Sequence, residues 1–302
     1  MKRNYITRCT SLLMSMIVFV VLTMASATEV SAASSKNFYL PKTEKTTYSY
    51  SSSYIDGSTN TTNDSWTYSY TYDKSGLQTK STSADGYSKY TRNSKGYVTV
   101  VKTYNKKGQL TNTTEFTRKS NGDASKVKSY DHSGGKKTLQ STTTYTYWSK
   151  GKVKKSTYKP VSGSKSVYTY DKKGNETSYS SNDGKYKINY KLTYKNGRLV
   201  KQVATYSGAM TGGTVATTDY TYTIKNGKVT KVVEKYSSKN NEGAVETKVT
   251  TTTNTYNKRG DIKKSVSETK QQSSVGTYTS RMTTTFTYKK VSVKKKYWGL
   301  YK

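Results

Sequence analysis

Tyrosines recur at every second position along much of the chain, and this spacing constrains the fold more than any other sequence feature. Segments 68–72 (YSYTY), 190–194 (YKLTY) and 220–222 (YTY) show the pattern, with Thr, Ser, Lys or Leu between the tyrosines. Successive side chains of a β-strand point to opposite faces, so tyrosine would occupy one face and mainly hydroxyl or ammonium groups the other. Tyr and Thr both favour such a half-buried pleated surface. The pattern therefore predicts an all-β protein.

The composition makes tyrosine the main source of apolar surface. Of the 302 residues only 31% are hydrophobic, and 31 residues are tyrosines. Few aliphatic residues combined with a net charge of +34 would be typical of a disordered chain. A disordered chain, however, has no physical reason to place tyrosine at every second position. Each tyrosine ring hides about 150–250 Å² when it is buried. We therefore expect most tyrosines to form the core, on the concave face of a curved sheet.

Short turns that begin with Asp or Asn and end with Gly separate the tyrosine runs. The first side chain can accept backbone hydrogen bonds as the turn opens, and glycine adopts the positive φ that closes it. A single aliphatic residue often follows and is expected to cover the preceding tyrosine. These turns are 73–76, 105–108, 171–174 and 257–260, with shorter versions at 195–197 and 225–227.

The spacing of the turns predicts about 19 strands in a single antiparallel up-and-down meander. The last two predicted strands are 277–288 and 291–298, joined by a turn at 289–290. An open sheet of this size does not stay flat, so we expect a curved or coiled sheet in one domain, residues 33–302. A transmembrane barrel would need an apolar outer band, which the alternation of Tyr with Thr, Ser and Lys does not supply.

Residues 1–32 have the pattern of a secretory signal peptide. Lys2, Arg3 and Arg8 precede an apolar run at 12–24, and small residues suited to cleavage follow at 30–32 or 31–33, with a second option at 25–27. The apolar run is shorter than the roughly 20 residues that span a bilayer. The one cysteine of the chain precedes the run, so the mature chain would have no cysteine. We expect a secreted, extracellular protein with no transmembrane segment after cleavage, and association with the cell wall is one option for it.

The turns also resemble the YD repeat of Rhs-type bacterial proteins. The best copies are 72–77 (YDKSGL) and 170–175 (YDKKGN), and 104–110 (YNKKGQL) and 256–262 (YNKRGDI) are near matches. The resemblance implies a repetitive β-sheet that coils into a shell or spiral in a secreted or surface protein. Carbohydrate binding is often suggested for this family. The chain has no recognisable toxin or protease region at its C-terminus.

The sequence does not favour an enzyme. The one histidine, His132, lies in a turn at a position that other turns fill with lysine, whereas a Ser-His-Asp triad needs a base within reach of a positioned nucleophile. Several aspartates open turns or precede glycine, so hydrogen bonding to the backbone of the turn explains their presence without a catalytic role. Paired carboxylates for glycoside hydrolysis would require neighbours that only the fold can bring together. We expect no catalytic residues, no metal site and no cofactor.

The positive charge is the most informative functional feature. We predict that lysine-rich turns bind an anionic cell-wall polymer or acidic glycan, without specific recognition of nucleic acid. The alternatives are a glycan-binding adhesin that uses the long loops 207–216 and 237–244, and a role of the lysines in solubility and edge protection only. The oligomeric state is left open. The predicted polyanion-binding residues are Lys74, Lys95, Lys150, Lys172, Lys173, Lys195, Lys225, Lys258, Arg259, Lys289 and Lys290. The candidate glycan-stacking residues are Trp66, Trp148 and Trp298.

Overall fold

The computed structural model describes residues 35–301 except 182–183, 209–213, 240–244 and 275. The predicted signal peptide and its cleavage sites lie outside the described residues. The strands are β1 Ser35–Tyr54, β2 Thr59–Tyr72, β3 Gln78–Ser83, β4 Gly86–Arg92, β5 Val98–Asn105, β6 Leu110–Arg118, β7 Ala124–Asp131, β8 Thr138–Ser149, β9 Lys152–Pro160, β10 Ser166–Tyr170, β11 Glu176–Ser181, β12 Tyr186–Lys195, β13 Arg198–Gly208, β14 Val215–Lys225, β15 Lys228–Lys239, β16 Val245–Tyr256, β17 Ile262–Ser273 and β18 Gly276–Lys294. Short 3-10 segments occur at Ser133–Gly135 and Lys295–Leu300.

The sheet closes on itself to form an 18-stranded antiparallel barrel. Each strand pairs with its neighbours in sequence, and β1 also pairs with β18 along its whole length, from Ser35 opposite Lys294 to Tyr54 opposite Gly276. The predicted all-β up-and-down order is confirmed. The prediction of a curved or coiled sheet that need not close is corrected, because pairing of the first and last strands leaves no open edge.

The strand count differs from the prediction at the C-terminus. The predicted turn at 289–290 is part of β18, where Lys289 lies opposite Leu40 and Lys290 opposite Tyr39. Because β1 begins at Ser35, it provides a partner for β18 beyond the predicted break. Of the last predicted strand, residues 291–294 continue β18, whereas residues 295–298 enter the 3-10 segment Lys295–Leu300. No helix of the described part of the chain is long and apolar enough to cross a membrane.

The predicted turn chemistry is confirmed by hydrogen bonds. At the β2–β3 turn, Asp73 Oδ1 accepts hydrogen bonds from the backbone N–H of Ser75 at 2.8 Å and of Leu77 at 2.9 Å. Gly76 closes the turn with φ of 80° and donates its N–H to the carbonyl of Asp73. The first residue plays the same part in the turns that open at Asn93, Asn105, Asp171 and Asn257.

The two shortest turns use a different backbone conformation. Asn196 and Gly197 both have positive φ, at 50° and 75°, and Asn226 and Gly227 repeat these values closely at 50° and 72°. Two successive residues with positive φ define the type I′ turn, whose twist matches that of the flanking strands. The Asn-Gly pairs therefore fix the β12–β13 and β14–β15 hairpins.

Most tyrosines lie on the less exposed face of their strands. In β2 the pattern is strict, with Tyr68, Tyr70 and Tyr72 half-buried and the residues between them exposed. Alternate residues of a barrel strand face inward and outward. Side chains are more crowded on the concave inner side, so we assign the less exposed, tyrosine-bearing face to the inside of the barrel. Tyr87 and Tyr104 are exceptions, because they lie opposite each other on the outer face of β4 and β5.

The buried apolar residues form two clusters. The seam cluster joins β1, β18, the β2–β3 turn and the C-terminal 3-10 segment; its members are Phe38, Leu40, Leu77, Val291, Val293 and Tyr297. The wall cluster lies on β12, β13 and β14 and consists of Ile188, Ala204 and Ala216. Five half-buried tyrosines pack against the wall cluster: Tyr179, Tyr186, Tyr190, Tyr206 and Tyr236.

Candidate functional site

Closure of the barrel gathers the predicted cations of the turns at one end. Turns that follow even-numbered strands all lie at this end in an up-and-down barrel, together with the start of β1 and the C-terminal segment. We call the predicted cations that are exposed in these turns, or at the strand ends that adjoin them, the basic rim; they are Lys74, Lys95, Lys150, Lys172, Lys173, Lys195, Lys225, Lys258 and Arg259. Lys289 and Lys290 belong to β18 rather than to a turn, and Lys289 is half-buried with its Nζ 4.9 Å from the Tyr72 ring centroid.

Several cations of the basic rim are held against neighbouring groups. Lys95 Nζ donates a hydrogen bond to the carbonyl of Ser120 at 3.1 Å. Lys173 Nζ lies 3.7 Å from the ring centroid of Tyr194. The Arg259 guanidinium lies 3.8 Å from the Tyr39 ring centroid, and its Nε is 3.0 Å from Asp261 Oδ2. These contacts restrict the side chains, so part of the charge is positioned in advance.

The carboxylates of Asp171 and Asp123 at this end accept hydrogen bonds from the turns and from a neighbouring tyrosine. Asp171 accepts hydrogen bonds from the backbone N–H groups of Lys173 and Asn175 and from the Tyr194 hydroxyl. Burial opposes ionisation, but these hydrogen bonds together lower the pKa of Asp171. The carboxylate of Asp123 accepts from the backbone N–H of Gly151 in the next turn at the same end. The aspartates therefore stabilise the turns that present the cations.

Tyrosine hydroxyls connect successive hairpins at the same end, which the sequence analysis did not predict. In each case the donor is the last tyrosine of an even-numbered strand. Its hydroxyl donates to a backbone carbonyl in the first part of the odd-numbered strand that comes directly before it in sequence. Tyr256 donates to Val229 at 2.7 Å, and Tyr288 donates to Ile262 at 2.8 Å. The same bond joins Tyr222 to Leu199, Tyr147 to Ala124 and Tyr72 to Pro41. We call these five bonds the hydroxyl clasps.

The hydroxyl clasps add a backbone role to the residue that follows a turn. Leu199 and Val229, whose side chains were expected to cover the tyrosine of the preceding strand, offer their carbonyls to the tyrosine of the next hairpin. Arg92 and Arg118 occupy the corresponding positions of β4 and β6 and donate to the carbonyls of Gln78 and Val98. The sequence signal was a tyrosine or arginine at or near the end of these even-numbered strands, and the tyrosines had been interpreted only as core.

The three tryptophans do not form one binding surface. Trp148 is 43% exposed beside the basic rim, with Nε1 donating to the carbonyl of Tyr170 and Lys154 Nζ 4.5 Å from its ring centroid. Trp66 is half-buried in β2, opposite Thr46. Trp298 packs against the seam cluster and donates its Nε1 hydrogen to the carbonyl of Val293. Of the three, Trp148 offers an exposed ring next to cations.

The histidine and the half-buried or buried glutamates outside the basic rim lie on separate segments of the barrel. His132 Nε2 is 2.9 Å from the hydroxyl of Thr113, a buried residue. Burial raises the pKa of Glu44, Glu176 and Glu234, which lie on β1, β11 and β15. In the part of the chain that is described, no group of three or more His, Cys, Asp or Glu side chains is arranged to hold a metal ion.

Comparisons with known proteins identify no family. No protein-family model matches the chain, and no curated protein matches it. A porin-like protein from Bacteroides uniformis is one similar solved structure, with 14% sequence identity and a TM-score of 0.37; the match covers 81% of this chain and 96% of that chain. A likeness at this TM-score carries no argument about fold or function. The resemblance of the turns to YD repeats stays a prediction.

Proposed function

We propose that this protein is an exported, non-enzymatic binding module of a bacterial envelope, in which the basic rim binds anionic polymers. The observation that carries the proposal is the closure of the barrel. It brings cations from turns between Lys74 and Arg259, which are far apart in sequence, to one end of one molecule. A polymer with regularly repeated negative charges can contact several of them at once.

Electrostatics supports attraction over short range rather than recognition of one sequence or sugar. Exposed charges interact within about a Debye length, roughly 8–10 Å at physiological salt. Several cations contacted by one chain act together, because the second contact and all later ones are intramolecular. The chain carries 52 Lys and Arg against 18 Asp and Glu, so repulsion from its own acidic groups is weak. Teichoic acids and acidic glycans are the classes of partner that fit.

The signal-peptide pattern supports export, and the chain has no cysteine after residue 9. A chain without disulfides depends on strand pairing and side-chain burial for its stability. Continuous pairing around the barrel is consistent with that requirement. We therefore place the protein outside the cell, associated with the cell wall through charge.

The alternative function is a glycan-binding adhesin, which Trp148 favours. Its ring is exposed and lies near Lys154 and Lys172, and such a ring can stack on a sugar. The predicted specificity loops 207–216 and 237–244 are shorter in the structure, because strands occupy part of each range; residues 209–213 and 240–244 lie outside the described residues.

A binding series in salt tests the proposal. The secreted protein is titrated with a purified glycerol-phosphate polymer and with a neutral glycan, in NaCl from about 50 mM to several hundred millimolar. Binding of the polymer that disappears at high salt, with no competition by neutral sugar, is the expected result. Binding that resists salt and is competed by neutral sugar supports the adhesin instead.

Two matched variants separate the basic rim from total charge. One carries Lys150→Gln, Lys195→Gln, Lys225→Gln and Lys258→Gln in the rim. The control carries Lys187→Gln, Lys191→Gln, Lys235→Gln and Lys270→Gln, which are exposed residues of strands β12, β15 and β17. The net charge is equal in both. The rim variant should lose most of the binding and the control little; equal losses contradict the proposal.

A further inference from the structure

Three lysines lie directly opposite one another on three successive strands away from the basic rim. Lys80 of β3 is paired with Lys89 of β4, and Lys89 is paired with Lys102 of β5. They lie on the face opposite to Ser81 and Tyr90, whose side chains hydrogen-bond on the inner side, so they point outward. Residues opposed in this way have Cβ atoms about 4.5–5.5 Å apart, and like charges at that spacing are destabilising. We call these three residues the lysine row.

An aromatic pair lies beside the lysine row on the same outer face. Tyr87 and Tyr104 are opposite each other, two residues along from Lys89 and Lys102. Their ring centroids are 4.8 Å apart and their planes differ by 16°. Lys80 Nζ lies 4.3 Å from the Tyr87 centroid, and Lys89 Nζ lies 5.7 Å and 5.6 Å from the two rings. Cation–π attraction therefore holds two ammonium groups over the tyrosine pair.

Two carboxylates close to this face form ion pairs with other lysines. Glu115 pairs with Lys137 at 2.5 Å, and Asp85 pairs with Lys106 at 3.7 Å in an exposed contact. Among the described ion pairs, none involves a member of the lysine row. The positive charge of the row is thus not neutralised by an internal ion pair. Strand pairing alone does not explain a lysine at position 89, because like charges placed directly opposite each other destabilise a sheet.

We propose that the lysine row and the Tyr87–Tyr104 pair form a localised binding site for an acidic saccharide. The phosphate or carboxylate of the sugar accepts hydrogen bonds from the ammonium groups of the row, and the sugar contacts the tyrosine pair. Charge-assisted hydrogen bonds of this kind are stronger than neutral ones. The site goes beyond the attraction of polymers to the basic rim, because it recognises one acidic sugar and lies on the outer wall.

Calorimetric titration of the secreted protein with three hexasaccharides tests the site. The probes are hexagalacturonate, a mannohexaose carrying 6-phosphates and neutral maltohexaose. Binding of either acidic probe without binding of maltohexaose is expected, and the tighter acidic probe identifies the acid that the site prefers. Failure of both acidic probes to bind overturns the proposal, as does maltohexaose binding as tightly as they do.

The variant Lys89→Gln separates a specific site from general charge. It removes the middle member of the row and should weaken binding of the acidic probe about tenfold, since one charge-assisted hydrogen bond is lost. Lys191→Gln removes one exposed charge from β12 and should leave the affinity unchanged. Equal weakening in both variants overturns the proposal. The rim variant with four substitutions should retain the hexasaccharide binding, so this site and the basic rim can fail independently.

Thermal unfolding gives a second readout, because a binding role and a structural role of Lys89 predict opposite changes in Tm. Removing the central charge relieves two repulsive pairs, so Lys89→Gln should raise Tm by about 1–2 °C while affinity falls. A lower Tm for Lys89→Gln would assign the lysine to structural support and overturn the proposal. A raised Tm with unchanged affinity overturns it as well.

Discussion

The seam cluster and the wall cluster hold the barrel together with different side chains. At the seam, Phe38, Leu40, Val291 and Val293 bring together strands from the two ends of the described chain. In the wall, small residues such as Ala204 leave room for tyrosine rings from neighbouring strands. Among the described residues, the buried leucines and valines thus all lie where distant segments meet. Tyrosine is sufficient where hairpins already place the strands side by side.

The largest effect is expected from Gly76→Ala, at the edge of the seam cluster. A Cβ there would lie 2.6 Å from Val293 Cγ2 and 2.8 Å from the carbonyl oxygen of Ser292, and φ is +80°. Left-handed strain and overpacking together should lower the free energy of unfolding by about 2–5 kcal/mol. Urea denaturation measures the change.

Gly174→Ala is the matched control for that substitution. Gly174 closes the same kind of turn with φ of +93°, but a Cβ there meets nothing within 4 Å. It should therefore lose only about 1–2 kcal/mol from backbone strain. Equal losses at Gly76 and Gly174 would mean that the seam cluster is not tightly packed.

Enlarging a small residue tests the wall cluster in the opposite way. Ala216 is 2% exposed among tyrosines, so Ala216→Leu should destabilise the barrel by about 1–3 kcal/mol through overpacking. Val215→Leu changes the neighbouring residue, which is 46% exposed, and should have little effect in the same denaturation experiment. A neutral Ala216→Leu would show that the tyrosine rings leave free volume around the wall cluster.

The hydroxyl clasps should contribute less than either cluster. Tyr256→Phe keeps the ring but removes the donor to Val229, leaving a carbonyl without that partner, so we expect a loss of about 1 kcal/mol. Tyr158→Phe, at a ring that is 39% exposed, serves as the control and should change stability by less than about 0.5 kcal/mol. The clasp has no energetic role if both variants unfold at the same denaturant concentration.

The smallest effect should appear as a pH dependence at Glu44, next to the seam. Burial raises the pKa of Glu44 above its ordinary value near 4.5, and the hydrogen bond from Tyr70 only partly opposes this. The folded protein therefore binds the proton more tightly than the unfolded chain, and stability falls as pH rises from about 4.5 through the folded pKa.

The variant Glu44→Gln removes this dependence. Its stability relative to the native protein should increase with pH above about 4.5, as measured by thermal unfolding at a series of pH values. Thr46→Val, at a buried neighbour on the same face, does not ionise and should shift stability equally at every pH. A Glu44→Gln difference that is constant with pH would contradict the raised pKa.

Local features of the fold could be predicted from the sequence, whereas closure could not. The alternation of Tyr68, Tyr70 and Tyr72 and the Asp73–Gly76 turn depend on residues close in sequence, and both are confirmed. Closure depends on contacts such as the hydrogen bond between the hydroxyls of Thr43 and Thr287, which are 244 residues apart. No local pattern encodes that register, and the first part of β1 lacks the tyrosine alternation.

The same limit applies to the candidate sites. The cations of most turns could be placed at one end because turn position alone determines it. The lysine row depends on register between hairpins, which brings Lys80, Lys89 and Lys102 into line. A signal was present in β4, where Tyr87 and Tyr90 are three residues apart and so cannot share one face. That break in the period of two marks the outer aromatic pair.

Pairing of β1 with β18 also has a consequence for how the chain folds. Strand β1 cannot pair with β18 until the last strand is available, so the barrel stays open until almost the whole described chain is present. Until then the unpaired edges of β1 and β18 could also pair with strands of other protein molecules. Lysines such as Lys36, Lys45, Lys290 and Lys294 lie along those edges and would repel a second copy of either one.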